Sequence, residues 1–272
     1  MGRVIATLTD YGLTVAEEVD AGIRAFFATV RDRDEAAGLL ASEPSVTTSA
    51  VMVSDEAWAE RSQAALKPVR VGGIVIRPPW ADETSATDGR QPTDVVITIQ
   101  PSMGFGTGHH QSTRLCLRCL QGLAVKARAV LDVGTGSGVL SIAAAKLGAA
   151  RVVGIDADPD ALTSAAENLD LNDAAGKVEL RQLEVSDDTP PPIALGADVI
   201  TANLSGALLE RLARQFVRWL RPDGTLVASG FQLHEEDAVA DALRRANLHP
   251  TGRLVEDDWV ALTASPTPSR AR

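Results

Sequence analysis

From Val95 to about residue 265 the chain alternates short apolar runs with stretches in which apolar residues recur every three or four positions. A strand period alternating with a helix period admits few folds, and it predicts an α/β domain whose mostly parallel sheet is covered by helices. Seven strands are legible: "AVLDV" (129 to 133), "RVVGI" (151 to 155), "KVELR" (177 to 181), "ADVITA" (197 to 202), "GTLVAS" (224 to 229), then "PTGRLV" and "WVALTA". The helical stretches between them are "GVLSIAAAKLG", "DPDALTSAAENLDLN", "SGALLERLARQFVRWL" and "LHEEDAVADALRRAN". Asp158 and Pro159 stand where a helix start favours a capping carboxylate followed by proline. Nothing helical separates the last two strands, which predicts an antiparallel hairpin there.

The first 80 or so residues read as a smaller α+β unit, with a helix at about 4 to 11, a strand at "GIRAFFATV", and helices at "DEAAGLLA" and "DEAWAERSQAAL". The stretch from 78 to 94 is rich in Pro, Ser, Thr and Asp and reads as a linker. The expected organisation is an N-terminal domain over 1–77, this linker, the α/β domain over 95–265 and a disordered tail over 266–272.

Charge narrows the function. The 26 Lys and Arg residues face 36 Asp and Glu, a formal net charge of −10. Neutralising phosphates needs a dense cationic face, so direct nucleic-acid binding is not expected. The acidic balance suits a basic protein partner, or serves solubility alone. No apolar run approaches the ~18 residues of a membrane span, and no basic-then-apolar leader is visible, so the expected location is the cytoplasm. Cys116 and Cys119 form a CxxC just after His109 and His110, a pattern to weigh as a metal or redox site. They fall within "STRLCLRCLQGL", where positions i and i+3 share a helix face, and are expected to be buried free thiols with no metal.

The chemistry lies in "LDVGTGSGVLS", at 131 to 141. A strand runs directly into Gly134, Gly136 and Gly138 and on into a helix, the arrangement that lets bare backbone approach a ligand. Asp156 ends the next strand, where a carboxylate accepts bonds from both ribose hydroxyls. A dinucleotide and S-adenosylmethionine both satisfy that pattern. The spacing here is GxGxG rather than the GxGxxG that seats a pyrophosphate, and Asp132 precedes the first glycine by two residues. A carboxylate there repels a pyrophosphate but helps position the cationic methionine end of S-adenosylmethionine, directly or through water. The stretch resembles that of class I S-adenosylmethionine-dependent methyltransferases.

A second glycine-rich stretch, "GFGTGHHQSTRLCL", is more specific. It is similar to the "AFGTGTHPTT-LCL" block of the ribosomal protein L11 methyltransferases, and "LKPVRVGGIVIRPPW", "ITANLSGALLERLA" and "SGFQLHEEDAV" resemble the same family. The resemblance covers roughly residues 55 to 262. It implies a seven-stranded, Rossmann-like class I methyltransferase domain with a smaller N-terminal α+β domain for substrate recognition. It further implies that residues 104 to 113 fold over the cofactor, with Phe105 near the methyl-transfer site and Thr113 touching the cofactor. Gly134 matches a cofactor-contacting glycine in a loop that Gly136 and Gly138 complete, Asp156 the ribose carboxylate, and Asn203 the active-site asparagine.

Asparagine is also a preferred helix cap, so Asn203 has a second reading as the cap of "SGALLERL". His109, Gln111 and Ser112 depart from the family block, and a catalytic role for His109 or His110 stands beside a positional one. The implied activity is methylation of lysine and N-terminal amines on ribosomal protein L11. The alternatives are a class I methyltransferase acting on another protein or small amine, or a non-catalytic cofactor-binding module. In the family the recognition domain is expected to open with a strand, whereas this chain begins with the helix-like "VIATLTDYG".

Overall fold

The computed structural model describes residues 13–19, 22–27, 30–40, 48–49, 67–81, 94–101 and 109–267. The chain divides into two compact units, Met1–Arg61 and Ser62–Arg272. In the first, β1 (Leu13–Val19) pairs antiparallel with β2 (Gly22–Phe27), and α1 (Val30–Leu40) follows. Strand β1 is absent from the sequence reading because Glu17 and Glu18 interrupt its apolar alternation. The helices expected at about 4 to 11 and over "DEAWAERSQAAL" lie outside the described residues, as does most of the expected linker.

The second unit begins before the linker expected from sequence. Strands β3 (Val69–Val71) and β4 (Ile74–Arg77) form a hairpin, and β4 pairs in parallel with β5 (Val95–Thr98). Residues 62–77, read from sequence as the end of the N-terminal domain, therefore belong with the second unit. Their apolar side chains explain why: Val71, Ile74 and Ile76 join Ile97, Leu115 and Ile142 in one buried cluster.

The main elements follow in order: α2 (Gln111–Gly122), β6 (Ala129–Val133), α3 (Val139–Lys146), β7 (Arg151–Asp156), α4 (Pro159–Leu171), β8 (Val178–Gln182) and β9 (Ala197–Asn203). Then come α5 (Gly206–Trp219), β10 (Leu220–Gln232), α6 (Glu236–Arg245), β11 (Leu248–Glu256) and β12 (Trp259–Pro266). All seven strands read from sequence are present, and they form one sheet in the order β11-β12-β10-β9-β6-β7-β8. Strand β12 runs antiparallel to both neighbours, closing the predicted hairpin with β11, while β10, β9, β6, β7 and β8 pair in parallel.

Strand side chains alternate between two cores, as the period of two requires. Val130, Val152, Val199 and Val227 face one cluster with α2 and α3, whereas Leu131, Val153, Ile200 and Leu226 face the other with α5 and α6. Helices thus cover both faces of the sheet. After β6 the chain builds outward to β7 and β8, then returns to place β9 on the opposite flank. The order reverses between β6 and β9, and in open sheets of this kind ligands bind beyond the carboxyl ends of the strands at such a point.

Candidate active site

Five elements bring the sequence-derived residues to that edge. Gly134, Gly136 and Gly138 follow β6 with φ of +71°, +54° and +80°, a left-handed region open to glycine at little cost. The turn lies on β7, since the N–H groups of Gly134 and Thr135 both donate to Ile155 O, at 2.9 and 3.0 Å. Asp156, at the end of β7, accepts from Gly136 N at 2.9 Å and from Asp158 N at 3.1 Å. An ionised carboxylate has about four acceptor sites, so both oxygens retain capacity for ribose hydroxyls.

Asp132 sits differently from a residue open to a ligand. It is 1% exposed, and its oxygens accept from Thr201 Oγ1 at 2.7 Å and from Thr135 Oγ1 and Ser141 Oγ at 2.8 Å each. Burial raises its pKa, and bonds from Thr201, Thr135 and Ser141 partly offset that rise. The carboxylate ties the glycine loop to α3 and β9 from below.

Asn203 ends β9, partly exposed, and its Nδ2 donates to Thr113 Oγ1 at 3.2 Å. Ser205, not Asn203, is the N-cap of α5, which removes the capping reading. Leu204 continues onto the glycine loop, where a Cβ added at Gly134 would overlap its side chain. Gly230, at φ +95° near the end of β10, backs the same segment: a side-chain carbon there would lie 2.5 Å from Leu204 O and 2.9 Å from Asn203 Oδ1. Among the described residues no donor reaches either oxygen. Two acceptors therefore lie close together on the segment that packs against the glycine loop.

Thr113 is 1% exposed in the first turn of α2. His110 caps that helix, its Nδ1 accepting from Ser112 N at 3.3 Å and lying 2.8 Å from Ser112 Oγ, while its ring stands edge-on to Trp259 at 4.3 Å. Desolvation, then Arg114, lowers the His110 pKa. His109 Nε2 lies 2.8 Å from Lys67 O. Both histidines hold backbone, the positional reading. Arg114 reaches across to Glu256 on β11, fixing α2 against the terminal hairpin. Cys116 and Cys119 are buried free thiols, with burial raising Cys116 well above the usual thiol range and Cys119 to about 11. Among the described residues no cluster of His, Cys, Asp and Glu could hold a metal ion, and no helix is long and apolar enough to cross a membrane. Phe105 lies outside the described residues.

The sequence reading missed Gly230 and the hydroxyls of Thr135, Ser141 and Thr201, whereas it expects a backbone carbonyl beside Asn203 as a second acceptor, the place Leu204 O takes. One signal was present: Thr201 and Asn203 are the two polar side chains in "ITAN", two residues apart on one strand face.

A sheet in this order, with a glycine loop and a carboxylate at its switch point, defines a class I methyltransferase fold. The family model described as ribosomal protein L11 methyltransferase (PrmA) matches residues 10–267. A ribosomal protein L11 methyltransferase of Heliobacterium modesticaldum is 39% identical over 211 residues, 77% of this chain and 64% of that protein. That of Pelotomaculum thermopropionicum is 40% identical over 222 residues, 81% of this chain and 69% of the relative. The crystal structure of a ribosomal protein L11 methylase from Lactobacillus delbrueckii subsp. bulgaricus superposes with a TM-score of 0.65 at 29% identity, covering 74% of this chain and all of that one. The protein belongs to the ribosomal protein L11 methyltransferase family.

Proposed function

We propose that the protein is an S-adenosylmethionine-dependent N-methyltransferase that modifies lysine side chains and the N-terminal amine of ribosomal protein L11, working in the cytoplasm. The observation that carries this reading is the pair of oxygens, Asn203 Oδ1 and Leu204 O, converging at the end of β9 beside the loop of Gly134, Gly136 and Gly138.

The residues present fit the cofactor. Asp156 would accept the ribose hydroxyls, and the glycine loop lets backbone approach the rest of the molecule. Asp132, enclosed by hydroxyls, shapes that loop rather than touching the ligand. Phe105 and Thr113 belong to the stretch that covers the cofactor in this reading, and Thr113 also aims Asn203. Bound S-adenosylmethionine supplies an electrophilic methyl group on a cationic sulfonium.

Attack by an amine needs a neutral nitrogen lone pair aligned with the bond from methyl to sulfur. Deprotonating an ordinary lysine costs about 4 to 5 kcal/mol at pH 7, so the proton leaves to water before or during entry. The Asn203 and Leu204 oxygens accept the remaining N–H groups and direct the lone pair away from themselves. Neither binds a proton tightly, so the amine is oriented without being held in its cationic form.

The N-terminal unit, Met1–Arg61, serves as the recognition module in this reading, whereas the stretch 78 to 94, expected from sequence to be the linker, joins β4 to β5 within the second unit. The test is the intact mass of unmethylated L11, beside other ribosomal proteins, after incubation with the protein and S-adenosylmethionine. Mass increments of whole methyl groups on L11 support the proposal. Unchanged L11 despite cofactor binding redirects it to another protein or a small amine.

A further inference from the structure

The residues that tie the loop of Gly134, Gly136 and Gly138 to the chain leaving β5 are absent from the sequence reading, and they lie on α4. Asn168 there is 0% exposed and reaches in two directions. Its Nδ2 donates to Ser137 O at 2.9 Å, inside the loop between Gly136 and Gly138, and its Oδ1 accepts from Gln100 N at 2.7 Å. Gln100 lies on the chain that leaves β5 and enters the stretch beginning at Gly104. One turn earlier on the same helix, Ala165 is 0% exposed, and a Cβ added at Gly138 would lie 3.3 Å from its Cβ. The helix thus offers a small residue where the loop approaches and an amide where the loop's carbonyl needs a donor.

Asn172 supplies the comparison. It stands one turn further on, 5% exposed, accepting from Thr98 N at 2.9 Å and donating to Thr98 O at 2.6 Å and to Asn168 O at 2.7 Å. It finishes the open edge of β5 but bonds no residue of the glycine loop.

We infer that Asn168 is a positioning residue for the cofactor, fixing the glycine loop through Ser137 and coupling it to the root of the second glycine-rich stretch through Gln100. The inference rests on the cofactor reading above. Asp156 holds the loop's N–H at Gly136 and Asn168 holds its carbonyl at Ser137, so the loop is gripped on both sides of the turn that faces the ligand. Without Asn168, Ser137 O and Gln100 N lose a buried partner, and the loop must reach its ligand-bound shape at the ligand's expense.

The test compares Asn168→Ala with Asn172→Ala in the full chain, measuring S-adenosylmethionine affinity by calorimetry beside melting temperature. Both variants lose buried hydrogen bonds and are expected to melt lower than wild type. Only Asn168→Ala is expected to weaken the affinity, by about tenfold or more, the consequence of one buried bond removed from a ligand-holding loop. Equal affinity in wild type and Asn168→Ala, or an equal loss in both variants, overturns the inference. Should the variants not fold, hydrogen exchange on the wild type decides: added S-adenosylmethionine is expected to slow exchange at Gln100 N–H and leave Thr98 N–H unchanged. No slowing at Gln100 overturns the coupling. Wild type that binds no S-adenosylmethionine at all overturns the cofactor reading and this inference with it.

Discussion

Replacing Thr201 with valine keeps the branched shape of the side chain and deletes one hydroxyl. Thr201 is 0% exposed and donates at 2.7 Å to Asp132 Oδ1, while Thr135 and Ser141 both donate to Oδ2. The substitution therefore strips one oxygen of a buried carboxylate of its hydroxyl donor. A hydrogen bond to a charged group contributes about 1.5 to 3 kcal/mol, and at about 2 to 4 °C per kcal/mol the melting temperature should fall by about 3 to 12 °C. Burial already raises the Asp132 pKa, and the Thr201 bond is the first of those opposing it, so the variant's pKa rises further. A folded-state pKa above the unfolded value of about 3.9 means that the folded chain takes up the proton first. Stability attributable to Asp132 is then greatest in acid and is lost as pH rises through the folded pKa. The deficit of Thr201→Val should be larger above the folded pKa of Asp132, where the carboxylate is charged, than in acid below it, measured by thermal denaturation followed by circular dichroism across a pH series. Melting within about 1 °C of wild type throughout that series, or a larger deficit in acid, would refute the assignment of Asp132 as a hydroxyl-held anchor.

Asn203→Ala should lower turnover by about 100-fold, the scale seen when one preorganised polar group is removed, with cofactor affinity nearly unchanged. An equal loss in affinity by calorimetry would move Asn203 to the cofactor site. Thr113→Val removes the acceptor that orients Asn203 Nδ2 at 3.2 Å. One neutral hydrogen bond corresponds to about a 2- to 13-fold fall in turnover, which Thr113→Ser should largely restore. Asp156→Ala should weaken S-adenosylmethionine binding by about tenfold or more while leaving turnover at saturating cofactor near wild type, a split read from initial rates. The His110 pKa is lowered from 6.5, so its capping contribution is present above that value and lost as pH falls through the lower folded pKa. His110→Asn, a cap that does not titrate, should flatten the fall in melting temperature on the acid side of 6.5; an unchanged pH profile would exclude His110 as its source.

The sheet was legible because each of its buried strands carries a short apolar run bounded by a turn, and because Gly134, Gly136 and Asp156 occupy fixed offsets from strand ends. Strand β1 was not, since Glu17 and Glu18 break its period and its pairing with β2 is a tertiary fact. The limits of β10 were missed for a similar reason: "RPDG" reads as a turn, yet the strand runs on from Leu220 to Gln232.

Within the site, the residues that sequence identified are those whose chemistry is visible in isolation: a carboxylate after a strand, an asparagine after a strand, glycines in a turn. The residues it missed act through what they face. Nothing about Gly230 distinguishes it in sequence until its backbone is seen against Leu204 O and Asn203 Oδ1. Asn168 reads as one polar residue in an ordinary helix until Ser137 and Gln100 are found on either side of its amide. Asp132 was read as a ligand contact because its position beside the glycines suggested charge complementarity. Three hydroxyls, one drawn from β9, convert it into an internal anchor. The same network joins β9 to the glycine loop, so the strand that ends in Asn203 and the loop proposed to hold the cofactor are set against each other by buried bonds. The proposed in-line transfer would depend on that fixed relation, because orientation, more than acid or base strength, limits the reaction of a neutral amine.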